Sequence, residues 1–221
     1  MAPPFTLLFD LDGTLVDTDH LHLAAYQALL ARFGRSVDLQ GYRTHIMGAA
    51  NSAVSERYFP ELDPIARAGL SDEKEALFRA SLAALTPTRG LVRLLDHAEA
   101  RGWAMAVVTN APRANADAML AGLGLGGRFA HLVIGDELAH GKPHPLPYLT
   151  GLALTGGAAS RALAFEDSRS GVQAAVAAGI ETVGMLAGLD EAALRGEGAH
   201  HVIADFEAPA LWTLLAARAG G

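Results

Sequence analysis

The stretch "FTLLFDLDGTLVDTD", Phe5 to Asp19, sets two acids, Asp10 and Asp12, directly after an apolar run. Thr6 to Phe9 is short and continuously apolar, the pattern of a strand covered on both faces of a parallel sheet. In open α/β sheets ligands bind beyond the carboxyl ends of the strands, so residues at the mouth of such a strand are the first candidates for a site. Side chains alternate along extended backbone, which turns Asp10 and Asp12 to the same side.

The rest of the chain repeats the pattern. Further strand candidates are "WAMAVVT" (Trp103 to Thr109), His131 to Gly135, Ala162 to Asp167, Glu181 to Leu186 and His201 to Phe206. Helix-length segments separate them: Gly90 to Arg101, Ala114 to Leu123, Pro145 to Leu154, Ser170 to Ala178 and Ala208 to Ala219. Strand alternating with helix predicts an α/β fold with a doubly wound parallel sheet, a Rossmann-like core. Residues 19–86 break that rhythm. Leu23, Tyr26, Leu30 and Phe33 fall at helical spacing, and helical patterns continue through "NSAVSERYF" and "SDEKEALFRASLAAL" with no strand between them. The expected organisation is a catalytic core, 1–18 with 87–221, interrupted by a smaller all-helical insertion, 19–86. Turn residues mark its exits at "VDTD" and "LTPTRG".

The chain has 221 residues, 51% of them hydrophobic, and a formal net charge of -7. That composition describes a folded globular protein without the broad basic surface that nucleic acid or an anionic membrane requires. An anionic substrate has to be met by a few local cations. With 0 cysteines, disulfides, thiol nucleophiles and thiolate metal sites are excluded. Asp10 and Asp12 interrupt the first apolar stretch, so no signal peptide or spanning helix is expected and a cytoplasmic location is the default. The histidine pairs His20 with His22 and His200 with His201 lack a third ligand at zinc-site spacing.

The ends of the strand candidates carry a coherent set: Asp10, Asp12, Gly13 and Thr14; Thr109 and Asn110; Lys142 in "GKPHP"; Glu166, Asp167 and Ser168. Several carboxylates in a partly dry site cannot all stay ionised without a cation among them. Mg²⁺ fits, since it takes oxygen ligands and commonly combines a few carboxylates with phosphate oxygens. A carboxylate is also a competent phosphoryl acceptor, with a neighbouring acid to handle the leaving group's proton.

Taken in order, "DLDGT", "VVTN", "GKPHP" and "FEDSRSG" resemble the four signature motifs of the haloacid dehalogenase-like hydrolase superfamily. The resemblance spans the whole chain, and the helical insertion is similar to the cap that this superfamily inserts after its first motif. It implies a phosphatase acting on a small phosphorylated metabolite through an aspartyl-phosphate, with Asp10 as nucleophile and Asp12 as general acid/base. Thr109 and Asn110, with the backbone after Thr109, would hold phosphate oxygens, and Lys142 would neutralise charge between nucleophile and phosphate. Asp10, the main-chain carbonyl of Asp12, Asp167 and Glu166, directly or through water, would bind Mg²⁺. Some members carry a second acid four residues after Asp167, where this chain has Gly171; the metal acids are then the adjacent pair, as in the β-phosphoglucomutase-like branch. That branch also carries a histidine facing the active site where this chain has His22. "HIMGAANS", His45 to Ser52, resembles the family's substrate-facing loop, which brings in Asn51, or else is a plain helix connection; Arg113 and Asn115, following Thr109, either reach substrate or form a solvated helix start.

The alternative is a hexose-phosphate mutase of the β-phosphoglucomutase type, which uses the same catalytic residues. Thr18 and His22 suit it, but the loop lacks the arginine expected to grip a second phosphate. A phospho-accepting receiver module has no use for an insertion of this size. True dehalogenation is disfavoured by Asp12, which that branch replaces. The expected assembly is a monomer or small homo-oligomer.

Overall fold

The computed structural model describes residues 3–47, 49, 51–82 and 85–218. The chain divides into two compact units, Met1–Asp17 with Thr86–Gly221 and Thr18–Leu85. The first holds a six-stranded parallel sheet: β1 (Thr6–Phe9), β2 (Ala104–Thr109), β3 (His131–Ile134), β4 (Ala162–Glu166), β5 (Glu181–Met185) and β6 (His201–Ile203), in the order β3-β2-β1-β4-β5-β6. This is the doubly wound arrangement expected from the sequence. The chain crosses from one half of the sheet to the other between β1 and β4, where the crevice opens beyond the strand ends. Phe9 is in register with Val107 of β2 and with Phe165 of β4, so Asp10 leaves the sheet beside Glu166.

The second unit is helical: α1 (Asp19–Ala31), α2 (Leu39–His45), α3 (Asn51–Tyr58) and α4 (Pro64–Ala80). Asp38 and Asp63 cap α2 and α4 by accepting from the backbone N–H of Gly41 and Ala66. Its core gathers Tyr26, Leu30, Val37, Tyr42, Ile46, Val54 and Phe59, with Leu23 packed against them. Phe33 departs from the helical spacing. It lies past the end of α1, is 45% exposed and meets the edge of Phe59.

The sheet is flanked by α5 (Leu91–Ala100), α6 (Arg113–Gly122), α7 (Leu146–Thr155), α8 (Arg169–Ala177), α9 (Glu191–Gly196) and α10 (Pro209–Arg218). The short α9 has no counterpart in the sequence reading, because six residues show too little period to betray a helix; the cap at Asp190, which accepts from Ala193 N, marks it. Alternation along the strands sorts two cores. Phe9 and Phe165 stack at 5.0 Å and meet Phe206, while Leu8, Val108 and Ala164 face the other way and pack with Tyr148 and Leu152 of α7. Ala106, Ala162, Ala164, Ala174 and Ala175 keep that second face shallow, letting the helices approach the sheet. Among the described residues, no helix is long and apolar enough to cross a membrane.

Candidate active site

Asp10 shares the face of Leu8, and Glu166 that of Ala164, so both carboxylates arrive on the α7 side of the sheet. Lys142, in the loop before α7, lies between them, its Nζ 2.5 Å from Asp10 Oδ1 and 2.5 Å from Glu166 Oε1. The ammonium and Glu166 are buried, and Asp10 is only 7% exposed. Buried ions persist only when paired and fully hydrogen-bonded, and Glu166 meets that condition. Its Oε1 accepts from Lys142 and from the Tyr148 hydroxyl at 2.9 Å, while its Oε2 accepts from Ser168 Oγ at 3.1 Å and Ser168 N at 3.3 Å.

The charge balance sets the titration. Burial pushes Asp10 up to about 8; Lys142 opposes the rise, and Glu166 and Asp12 add to it. Burial alone would lower Lys142, but Asp10 and Glu166 hold it above the ordinary lysine range. Burial, then Glu166, raises the Tyr148 phenol well above its usual value, so it stays a donor.

Two glycines make room for the acids. Gly13 has φ +76, and a Cβ there would stand 2.0 Å from Asp167 Oδ2; a Cβ on Gly171 would stand 1.8 Å from Glu166 Oε1. The adjacent pair Glu166 and Asp167 thus occupies space that a side chain at 171 would need. Oxygen atoms of Asp10, Glu166 and Asp167 lie within 4.8 Å of one another, the grouping of potential metal ligands among the described residues. An all-carboxylate set of this kind offers the oxygen ligands that a hard divalent cation takes.

Thr109 and Asn110, expected from the sequence on the phosphate side, lie at the end of β2. Thr109 closes β2 and is 2% exposed; its Oγ1 accepts from Ala111 N at 3.0 Å, leaving its hydroxyl proton to donate. Asn110 commits both ends of its side-chain amide to Lys142, Nδ2 donating to Lys142 O at 3.1 Å and Oδ1 accepting from Lys142 N at 3.0 Å. It therefore holds the loop that carries the ammonium. Asp12 bridges to Val16 in the turn after β1, where Gly13 N donates to Val16 O.

The three residues suggested for substrate contact have partners within their own units. Arg113, at the start of α6, is exposed and paired in a fork with Glu137 at 2.5 and 2.7 Å. Within the helical unit His22 stacks on Phe78 with ring centres 3.9 Å apart, and its Nδ1 lies 2.9 Å from Lys74 Nζ. Asn51 accepts from Tyr26 and donates to Glu75 at 2.6 Å, and Glu75 pairs with Lys74 at 2.9 Å. Of the loop His45 to Ser52, Gly48 and Ala50 lie outside the described residues. Sequence reasoning missed Tyr148, Lys74 and Glu75. Tyr148 reads as one more apolar position of a helix, while Lys74 and Glu75 share a helical face with Phe78, a charged pair on a buried stripe that pattern reading passes over. The histidine pair at 200 and 201 is structural: His200 Nδ1 accepts from Thr182 N and His201 pairs with Glu181.

A doubly wound sheet thus carries, at its switch point, a lysine clamped between two acids. Residues 7–185 match the haloacid dehalogenase-like hydrolase family, and the chain belongs to it. It is 37% identical to the phosphoglycolate phosphatase of Xylella fastidiosa (strain 9a5c), over 82% of this chain and 80% of that one. It is 34% identical to the fructose-1-phosphate phosphatase YqaB of Escherichia coli (strain K12), over 80% of this chain and 94% of that one. Among solved structures, CbbY from Rhodobacter sphaeroides in complex with phosphate superposes with a TM-score of 0.80 and 27% identity, covering 92% of this chain and 95% of that one. The protein is accordingly a phosphoric monoester hydrolase.

Proposed function

We propose that this protein is an Mg²⁺-dependent phosphatase that hydrolyses a small sugar phosphate or phosphoglycolate-like ester through a phosphoryl group carried on Asp10. The observation that carries this reading is Lys142 Nζ at 2.5 Å from both Asp10 and Glu166, with Asp167 beside them. Relatives named for phosphoglycolate and fructose 1-phosphate support the size of the substrate.

In the first step an Asp10 carboxylate oxygen attacks phosphorus, the bond from phosphorus to the ester oxygen breaks, and Asp12 gives its proton to the departing alkoxide. In the second, Asp12 takes a proton from water, whose oxygen attacks phosphorus; the bond to Asp10 breaks and inorganic phosphate leaves. Lys142, kept charged by its two acids, neutralises Asp10 and the incoming phosphoryl oxygens, and the Thr109 hydroxyl donates to one of those oxygens. Asp10, Asp167 and the main-chain carbonyl of Asp12 would hold Mg²⁺, with Glu166 beside them, its oxygens already accepting from Lys142, Tyr148 and Ser168. When bound, Mg²⁺ supplies further positive charge to the phosphoryl oxygens.

The test is a phosphate-release screen over phosphoglycolate, hexose phosphates, nucleoside monophosphates and polyol phosphates, with Mg²⁺ and with EDTA. Turnover should need Mg²⁺ and fall by several orders of magnitude in Asp10→Asn, which keeps the shape of the side chain. Near-normal turnover in that variant, or full activity after exhaustive chelation, refutes the mechanism. Conversion of β-glucose 1-phosphate to glucose 6-phosphate without phosphate release, when glucose 1,6-bisphosphate is supplied, would make the protein a mutase instead.

A further inference from the structure

Tyr148 sits in the first turn of α7, is 0% exposed, and packs its ring among Leu8, Val108 and Leu152. Phenylalanine would fill that space equally well, so packing alone gives no reason for a hydroxyl. A buried phenol is unfavourable unless it finds an acceptor. Here the acceptor is Glu166 Oε1, at 2.9 Å, the same oxygen that receives Lys142. The ammonium also lies 5.2 Å from the centre of the Tyr148 ring, so the tyrosine touches both partners of the ion pair.

We propose that Tyr148 is a positioning residue for phosphoryl transfer, fixing Glu166 so that Glu166 in turn keeps Lys142 against Asp10. The inference rests on the roles of Asp10 and Lys142 given above. Donors reach Glu166 on both oxygens, Tyr148 and Lys142 on one and Ser168 on the other, so the carboxylate cannot rotate without breaking a bond. The phenol matters most once Asp10 becomes a nucleophile. Its carboxylate then turns to phosphorus, and Glu166 is the anchor that remains for the ammonium. Without the phenol, Glu166 has a lone pair with no donor in a dry site and freedom to turn, and Lys142 drifts from the phosphoryl path. Tyr148 does not touch substrate; its effect passes through Glu166.

The test is Tyr148→Phe in the full chain, read in two independent ways. In phosphate release, kcat should fall about tenfold to a hundredfold with KM within about twofold, the size expected for losing one hydrogen bond to a charged acceptor. The second readout needs no turnover. The chain has two lysines, Lys74 and Lys142, so protein labelled with ¹⁵N-lysine shows two ammonium groups, assigned with Lys142→Arg. The Lys142 signal should broaden and exchange faster in Tyr148→Phe, while that of Lys74, in the helical unit, stays as it was. Leu152→Ala, which opens a cavity in the same core cluster, is the control for general loosening, with kcat held within about twofold. If Tyr148→Phe does not accumulate as folded protein, Ser168→Gly removes the hydroxyl donor on the other oxygen, leaving only the backbone N–H there and keeping a tolerated helix start, and should shift kcat and the Lys142 signal the same way. The proposal fails if kcat and the Lys142 signal both match wild type, or if Leu152→Ala lowers kcat as far as Tyr148→Phe does. If the wild-type protein releases phosphate from no ester, the phosphatase reading fails, and the Lys142 spectrum still decides whether Tyr148 fixes the ammonium.

Discussion

Gly171→Ala sets two physical effects against each other, and the structure says which wins. Gly171 lies in the first turn of α8, and exchanging glycine for alanine in a helix ordinarily stabilises it by up to about 1 kcal/mol. Here the new Cβ would stand 1.8, 1.9 and 2.0 Å from Oε1, Cδ and Oε2 of Glu166, closer than any real carbon contact. Because Glu166 is 0% exposed, its carboxylate has no open space to move into, and any shift breaks the bonds from Lys142, Tyr148 and Ser168. A hydrogen bond to a charged group contributes about 1.5–3 kcal/mol, so the net result should be a loss of about 1–2 kcal/mol. For a chain of this size that lowers the melting temperature by roughly 2–8 °C. The assay pairs thermal melts with phosphate release, where kcat should fall at least about tenfold as Lys142 loses its second anchor. A variant that melts above wild type and keeps full turnover would refute the packing argument and the placement of Glu166 with it.

Asp12→Ala should lower turnover of alkyl phosphates by about 10² to 10⁴, the usual worth of a positioned proton donor, and should slow the first step less for p-nitrophenyl phosphate; equal burst-phase losses for both esters would remove Asp12 from the acid role. The raised Asp10 predicts a pH dependence with a definite sign. A carboxyl pushed from its ordinary range up to about 8 contributes stability that is complete below about pH 4 and is lost as pH climbs through about 8. Metal-free wild type should therefore lose melting temperature relative to Asp10→Asn between about pH 5 and 8.5, and Mg²⁺, which requires the ionised acid, should bind about tenfold more weakly for each pH unit below about 8. A flat difference between the two proteins, with pH-independent Mg²⁺ affinity by calorimetry, would show that Asp10 is ionised throughout.

Most of the sheet was legible because buried parallel strands read as continuous apolar runs ended by turn or polar residues. Thr6–Phe9 was located to the residue, whereas the expected strand from His201 stopped at Ile203, short of Phe206, whose ring turns into the core beside Phe9 and Phe165. Strand ends are where chain order coincides with function, so Asp10, Asp12, Thr109, Lys142, Glu166 and Asp167 stood out before any coordinates. Tyr148 did not, since a helix position facing the sheet carries no local mark of what its hydroxyl will meet. Asn110 stood out for a phosphate contact, yet its amide turns back to the Lys142 backbone, a partner 32 residues away.

The sequence by itself determined the class of the fold, through the period of its apolar residues, and the kinds of group at the strand mouths, through motif order. Tertiary structure decided how those groups are charged and shared. Whether Lys142 answers one acid or two, why Asp10 is raised, and why no side chain stands at 171 depend on distances between β1, β4, α7 and α8, of which β1 is remote in sequence from the others. Burial and Coulomb interactions act through space and fall off over a few ångströms, so they become definite only when the sheet brings its strand ends together.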